Sequence, residues 1–399
     1  MIYLDSASTT PISKKVKKAM IKAMDFFYNP SSLYPKADEA KIMIDKIRTE
    51  VAGIMHAQKS TIVFTAGGTE SINIAICGVV NAWRNLPAGR QEKNNPPAGG
   101  KKAHIITTSF EHSAVRETIN MLVEKGEVEV SLISPMKNGV VDIQNILKEI
   151  KDNTVLVTMM LVNNELGTIQ PVRSLAVEII KYRKEKNSDY PYIHTDACQA
   201  PLSLPVTQDG LQADLITLDA QKMYGPKGSA ILYVRESVYI SSPVVGGGQE
   251  KGLRSGTENI VAMKGFAEAL KETTDLRNKF VNNSKELKNF FIEKLDEAKI
   301  EYSVNGSLEK SVPHILNICI PNLQAEFAVV TLGSKGIMCS AFSACAGLDE
   351  EPKSIAVESI GKTECIRSSL RFSFGRETTA GDIKKTVKIL KEIIPLCSK

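Results

Sequence analysis

Residues 61–71 read TIVFTAGGTES. An apolar run, Thr61–Thr65, meets a glycine pair and then a helical pattern. In that pattern Ile72, Ile76, Val79, Val80 and Trp83 recur on one face. A strand, a glycine turn and a helix in this order form the opening unit of an α/β fold. The turn also carries chemistry. Gly67, Gly68 and Thr69 offer backbone N–H groups and a hydroxyl at a helix N-terminus, which suits a phosphate. A glycine pair alone is also an ordinary turn, so the rest of the chain has to decide.

Outward from this unit the same alternation repeats. His104–Thr108, Val128–Ile133, Thr154–Leu161, Tyr192–Asp196, Leu215–Leu218 and Ala230–Val234 are short apolar runs, most of them separated by helical patterns. Such runs predict a mainly parallel sheet covered on both faces, with ligands at the strand C-terminal ends. Beyond residue 255 the pattern changes. A long helical stretch over about 259–298, with a break, is followed by strand 314–320, helix 325–332, strand 370–374 and a final helix over about 380–394. Thr379 and Asp382 are placed to cap that last helix. The expected organisation is a large α/β domain over 13–258 and a smaller α+β domain over 259–399, with residues 1–12 packed on the second. Residues 86–102, rich in Pro, Gly, Asn and charge, read as a solvated loop or, alternatively, a basic partner-binding loop.

The 399 residues are 43% apolar and 24% charged, with a net charge of +5, an ordinary soluble composition. The charge is too mild to make nucleic acid or an anionic membrane the main partner. The N-terminus lacks the basic and apolar regions of a signal peptide, and no run of 18 apolar residues occurs. The seven cysteines, Cys77, Cys198, Cys319, Cys339, Cys345, Cys365 and Cys397, contain no CxxC. Neither a disulfide framework nor a zinc site is expected, and a reducing, cytoplasmic setting is. Cys198 is expected near the functional site but facing away from it.

Three features then converge. Asp196 ends one strand, with Gln199 close behind. Lys222 follows another, inside Thr217–Gly228 (TLDAQKMYGPKG). By itself Lys222 could be a solvated loop residue. A phosphate cradle, an acid and a lysine, all at strand ends, match the needs of pyridoxal phosphate: an amine for its aldehyde and a carboxylate for its pyridine nitrogen. His112 follows the strand His104–Thr108. It is either a structural residue or a group that stacks on the ring and shuttles protons. Asn164, in LVNNELG (161–167), points to the same crevice. Cys345 lies among small residues and is followed by LDEEPK, the surroundings of an exposed thiol.

With these residues in place, the chain resembles the cysteine desulfurases of the NifS/IscS type, within the class-V aminotransferase-like, fold-type I pyridoxal phosphate enzymes. The resemblance covers nearly the whole chain. It is carried by YLDSASTTP (3–11), FTAGGTESIN (64–73), EHSAV (111–115), VNNELG (162–167), HTDACQ (194–199), QKMYGPKG (221–228), GGGQEKGLRSGT (246–257), SACAG (343–347) and LRFSFGRET (370–378). It implies that Lys222 is the Schiff-base lysine, Asp196 the acid on the pyridine nitrogen and His112 the stacking histidine. Gln199 falls near the ring hydroxyl, Gly68 and Thr69 in the phosphate cradle, and Asn164 in the crevice. Thr257 matches a threonine that reaches the phosphate of the neighbouring subunit, implying a homodimer. Arg371 matches the clamp on the substrate carboxylate, a bidentate role suited to a guanidinium. Cys345 matches the catalytic cysteine. The implied reaction converts L-cysteine to L-alanine and leaves a Cys345 persulfide for an acceptor protein, an iron–sulfur scaffold or a tRNA-thiolation protein, with no metal of its own.

The chain departs from the family pattern at three places. Asp219 stands where Ser or Thr is usual, and Gln221 where His is usual, both beside the cofactor phosphate. A Gln amide can still donate to phosphate, whereas an Asp repels it unless protonated, turned away or offset by a cation, for which Lys227 is a candidate. Phe342 replaces a glycine before Cys345, with the expected effect of stiffening the loop or shielding the thiol. Two rivals follow: another class-V enzyme, such as an aminotransferase or selenocysteine lyase, and a degenerate non-catalytic scaffold, which Asp219 favours.

Overall fold

The computed structural model describes residues 1–86, 102–342 and 353–398. Strands β1 (Ile2–Tyr3), β2 (Ile62–Thr65), β3 (Ala103–Thr108), β4 (Val128–Ile133), β5 (Thr154–Thr158), β6 (Tyr192–Asp196), β7 (Leu215–Asp219) and β8 (Ala230–Val234) come first. They are followed by β9 (Ser303–Val304), β10 (Ile315–Cys319), β11 (Ile337–Met338) and β12 (Ser369–Ser373). Strands β2 to β8 form one seven-stranded sheet in the order β2-β8-β7-β6-β5-β3-β4. Strands β3 to β7 are mutually parallel, and β8 runs opposite to both neighbours. All residues of β2, β3, β5, β6, β7 and β8 are buried, as expected for a sheet covered on both faces. The mainly parallel α/β sheet read from the apolar runs is therefore present. The Thr154–Leu161 run extends as strand only to Thr158.

The second group of strands is smaller. An antiparallel sheet orders β12-β10-β9, and β1 pairs in parallel with β11. Isolated bridges join Asp5 to Ser373 and Ser340 to Arg371, so the N-terminal segment and the segment before Phe342 both lie along β12. Phe291, Phe372 and Phe374 pack with Leu4, Ile318 and Phe342 in the core here. Phe342 is thus a core side chain. At the last helix, Ala380–Cys397, Thr379 and Asp382 cap each other reciprocally, with Asp in place of the usual Glu or Gln.

Two expectations are corrected. The long helix runs from Ile260 to Glu297 without the expected break, 38 residues in all. It contains no proline, and Gly265 serves close approach: a Cβ there would stand 2.7 Å from Pro226 Cγ and 3.0 Å from Met20 Cγ. The cysteines are not all unpaired, because Cys319 at the end of β10 is disulfide-bonded to Cys365, 46 residues on. Both are buried.

Candidate active site

The C-terminal ends of the parallel strands open into a cavity of about 270 Å³, near the low end for small-molecule sites. Its lining includes Gly68, Thr69, His112, Asn164, Asp196, Gln199, Gln221, Lys222 and Arg371. Cys345 lies outside the described residues, as does most of loop 86–102. Thr257 is exposed and does not line the cavity.

Each side chain is placed by local structure. Lys222 closes a 3-10 turn (Ala220–Lys222) directly after β7. Its Nζ donates to the carbonyls of Ser8 at 2.6 Å and Ala7 at 3.1 Å. Burial pushes its pKa down, against the nearby Cys198 and Asp219, which favours the neutral, nucleophilic amine. Asp196 ends β6, and its Oδ1 accepts the Cys198 N–H at 2.9 Å. Gln199 Nε2 donates to the same Ala7 carbonyl at 2.7 Å. His112 is the N-cap of helix Ser113–Glu124, its Nδ1 accepting the Ala114 N–H at 3.1 Å. The neutral ring therefore carries its proton on Nε2.

Arg371 on β12 brings the smaller sheet to the cavity. It is 1% exposed. Nη2 donates to Asp5 Oδ1 and Ser8 Oγ, both at 2.8 Å, and Nη1 to the Asn164 carbonyl at 2.8 Å. Among the described residues its Nε has no partner. A buried guanidinium that spends three of its five N–H groups on Asp5, Ser8 and Asn164 still has donors for a carboxylate that arrives from the cavity. The segment carrying Cys345 joins the described chain at both sides of this site. Before it, Ser340 exchanges two backbone hydrogen bonds with Arg371. After it, Ser354 Oγ donates to Glu165, next to Asn164.

Three residues stand differently from expectation. Cys198 does not face away: it lines the cavity, and burial holds its thiol well above the ordinary range, hence unreactive. Lys227 is exposed and lines a separate cavity with Tyr3, Thr10 and Tyr224, so it does not offset Asp219. Glu111, beside His112, was not singled out. Its Oε1 accepts from Thr108 Oγ1 at 2.6 Å and the Met160 N–H at 2.9 Å. Burial pushes its carboxyl up to about 8, with the Asp196 charge adding to the shift. Only its place in EHSAV could have marked it.

The donor set fits pyridoxal phosphate at the ring. A partly desolvated amine, a strand-end carboxylate and a capping imidazole surround one cavity. At the phosphate end the donors Gly68 and Gln221 are present, but the Asp219 carboxylate shares them.

Residues 2–386 match the aminotransferase class-V family. The chain is 34% identical over 395 residues to a protein called putative cysteine desulfurase IscS 1 from Bacillus subtilis, covering 98% of both chains. It is 33% identical over 394 residues to the cysteine desulfurase IscS of Dictyoglomus turgidum, covering 98% of this chain and 94% of that one. A solved NifS-like protein superposes with a TM-score of 0.87 at 28% identity over 99% of both chains.

Proposed function

The chain belongs to the class-V aminotransferase family, and from that membership and the cavity we infer that it is a pyridoxal phosphate-dependent cysteine desulfurase. The observation that carries the reading is the convergence of Lys222, Asp196, His112, Asn164 and Arg371 on one cavity. Lys222 would hold the cofactor through its amine, Asp196 would face the ring nitrogen, and His112 would cover the ring. Gln199 would meet the ring hydroxyl, and Gly68, Thr69 and Gln221 would hold the phosphate. When bound, the cofactor supplies an electron sink for the carbanion left by loss of the substrate α-proton.

The protein's own groups do the rest. Arg371 and Asn164 bind and orient the L-cysteine carboxylate. Lys222, its pKa lowered by burial, takes the α-proton. Cys345 Sγ bonds to the substrate sulfur as the carbon–sulfur bond breaks. The electron pair goes to the departing carbon, which is protonated to give L-alanine, and Cys345 keeps a persulfide. His112, through Nε2, moves protons on and off the thiols. The persulfide then passes to an acceptor protein, an iron–sulfur scaffold or a tRNA-thiolation protein, with no direct contact to nucleic acid or membrane. Among the described residues no helix is long and apolar enough to cross a membrane. We place the protein in the cytoplasm as a homodimer. The working division is residues 13–258 for the cofactor and 259–399 with 1–12 for the cysteine segment.

The test is alanine and persulfide formation by wild type and Cys345→Ala. Wild type is expected to yield both, and the variant to lose persulfide and sulfur transfer by at least about 100-fold, on the scale of a lost nucleophile. Transfer by Cys345→Ala at the wild-type rate overturns the mechanism. Undiminished amino transfer to a keto acid by Cys345→Ala, with no persulfide from either protein, would favour an aminotransferase, which has no need of the thiol.

A further inference from the structure

The donors that would receive the cofactor phosphate already hold an anion. Asp219 is 5% exposed. Its Oδ2 accepts the Gly68 N–H at 3.0 Å, at the start of helix Gly68–Arg84. Its two oxygens also accept from Gln221, from the backbone N–H and from Nε2, each at 3.1 Å. The carboxylate therefore takes donors from two of the three residues that would hold the phosphate, Gly68 and Gln221, with Thr69 outside its hydrogen bonds. The packing at Gly68 is close: a Cβ there would touch Asp219 Oδ2 at 3.4 Å and crowd Cys198 Sγ at 3.3 Å.

The charges around it do not cancel. All three donors to Asp219 are neutral amides. The other carboxylate at this helix start, Glu70, is paired with Arg254 at 3.3 Å. Lys222 is the basic group whose titration feels Asp219, but burial pushes its pKa down and its Nζ is bonded to the Ala7 and Ser8 carbonyls, not to Asp219. Lys227 lies on another cavity. A phosphate dianion arriving at Gly68 and Gln221 meets a carboxylate that competes for the same N–H groups and repels it.

We propose that Asp219 is an internal anion that competes with the cofactor phosphate for the Gly68 and Gln221 donors, and so sets how strongly this protein prefers phosphorylated over unphosphorylated pyridoxal. The proposal rests on the reading of the cavity as a pyridoxal phosphate site. Pyridoxal isolates the effect, because it offers the same ring and aldehyde to Lys222 and Asp196 without the phosphate. Asparagine keeps an oxygen for the Gly68 N–H and loses the charge. Serine removes the carboxylate outright.

The experiment is equilibrium titration of the apo-dimer, as wild type, Asp219→Asn and Asp219→Ser, with pyridoxal phosphate, pyridoxal and inorganic phosphate. Binding is followed by protein fluorescence, and folding is checked by thermal unfolding. Both variants are expected to bind pyridoxal phosphate at least about tenfold more tightly, roughly 1.4 kcal/mol. Pyridoxal affinity should change less than about twofold. Inorganic phosphate alone should bind both variants at lower concentration than wild type. If all three proteins take up the cofactor with the same preference over pyridoxal, or if the variants bind it more weakly, the proposal is overturned and the cofactor reading stands. If none takes it up, the cofactor reading fails and the proposal with it. Should one variant not fold, the other decides.

Discussion

Glu111 shows what burial does to a charge beside the site. The unfolded chain releases its proton near 4.5, and the folded chain keeps it to about 8. Between those values the folded state binds more protons, so stability falls as pH rises through the window. The slope is about 1.4 kcal/mol per pH unit at most. Glu111→Gln keeps an oxygen for Thr108 and Met160 and stays neutral throughout. Urea unfolding at pH 5, 6.5 and 8 should therefore show wild type losing stability relative to the variant as pH rises. Curves that keep a constant offset would mean that Glu111 is not a neutral acid. A neutral Glu111 also leaves the Asp196 charge unopposed, which is what a protonated ring nitrogen requires. Motif order sufficed to bring Asp196, Lys222, His112 and Arg371 to one cavity, because each sits at or just after a strand that apolar runs reveal. Glu111 was harder to see, since its Met160 partner lies beyond the end of another strand. Cys198 was hard to place for another reason: it lies in the turn after β6, where Asp196, Cys198 and Gln199 all line the cavity and strand alternation no longer applies.

At the scale of elements, helix Ile260–Glu297 carries the most weight. It packs on helices Lys14–Ala23, Pro35–Ile54 and Ala380–Cys397, tying the large sheet's surroundings to the small one. The helix runs unbroken even through the polar run Asn282–Ser284, because helix propensities differ by well under 1 kcal/mol per residue and tertiary packing overrides them. Buried Phe280, Leu287 and Phe291 on either side of that run hold it in register. Gly265 is where the helix comes closest to its neighbours. Gly265→Ala gains about 1 kcal/mol of helix propensity. Against that, its Cβ would lie 2.7 Å from the rigid Pro226 ring, and overpacking costs about 1–3 kcal/mol. The net expectation is a loss of up to about 2 kcal/mol in chemical denaturation, with the cofactor site intact. A more stable variant would mean that the Pro226 contact yields freely. The Cys319–Cys365 bond belongs to the same scale and was illegible for a different reason. The two cysteines carry no motif, and only the return of the chain from β10 to the turn before β12 brings them together.

The whole molecule raises the question of where one site ends. In the proposed homodimer, Thr257 would serve the neighbour's phosphate. Its exposure and its place outside the cavity of its own chain agree with that role. Complementation separates the two geometries. Lys222→Ala abolishes the covalent hold on the cofactor, and Thr257→Ala removes one phosphate donor, on the order of 1 kcal/mol and thus about a fivefold loss of affinity. Each homodimer alone has two damaged sites. In a mixed dimer with Thr257 acting across the interface, one site combines both lesions, and the other combines Lys222 of the Thr257→Ala chain with Thr257 of the Lys222→Ala chain. That second site is wild type. Co-expressed, differently tagged chains purified through both tags should therefore bind one equivalent of cofactor per dimer with wild-type affinity. If Thr257 acted within its own chain, every Lys222-containing site in the mixed dimer would keep the weakened affinity. A mass corresponding to a single chain in light scattering would remove the premise altogether. The restored site is a result that no folding defect in either variant can imitate.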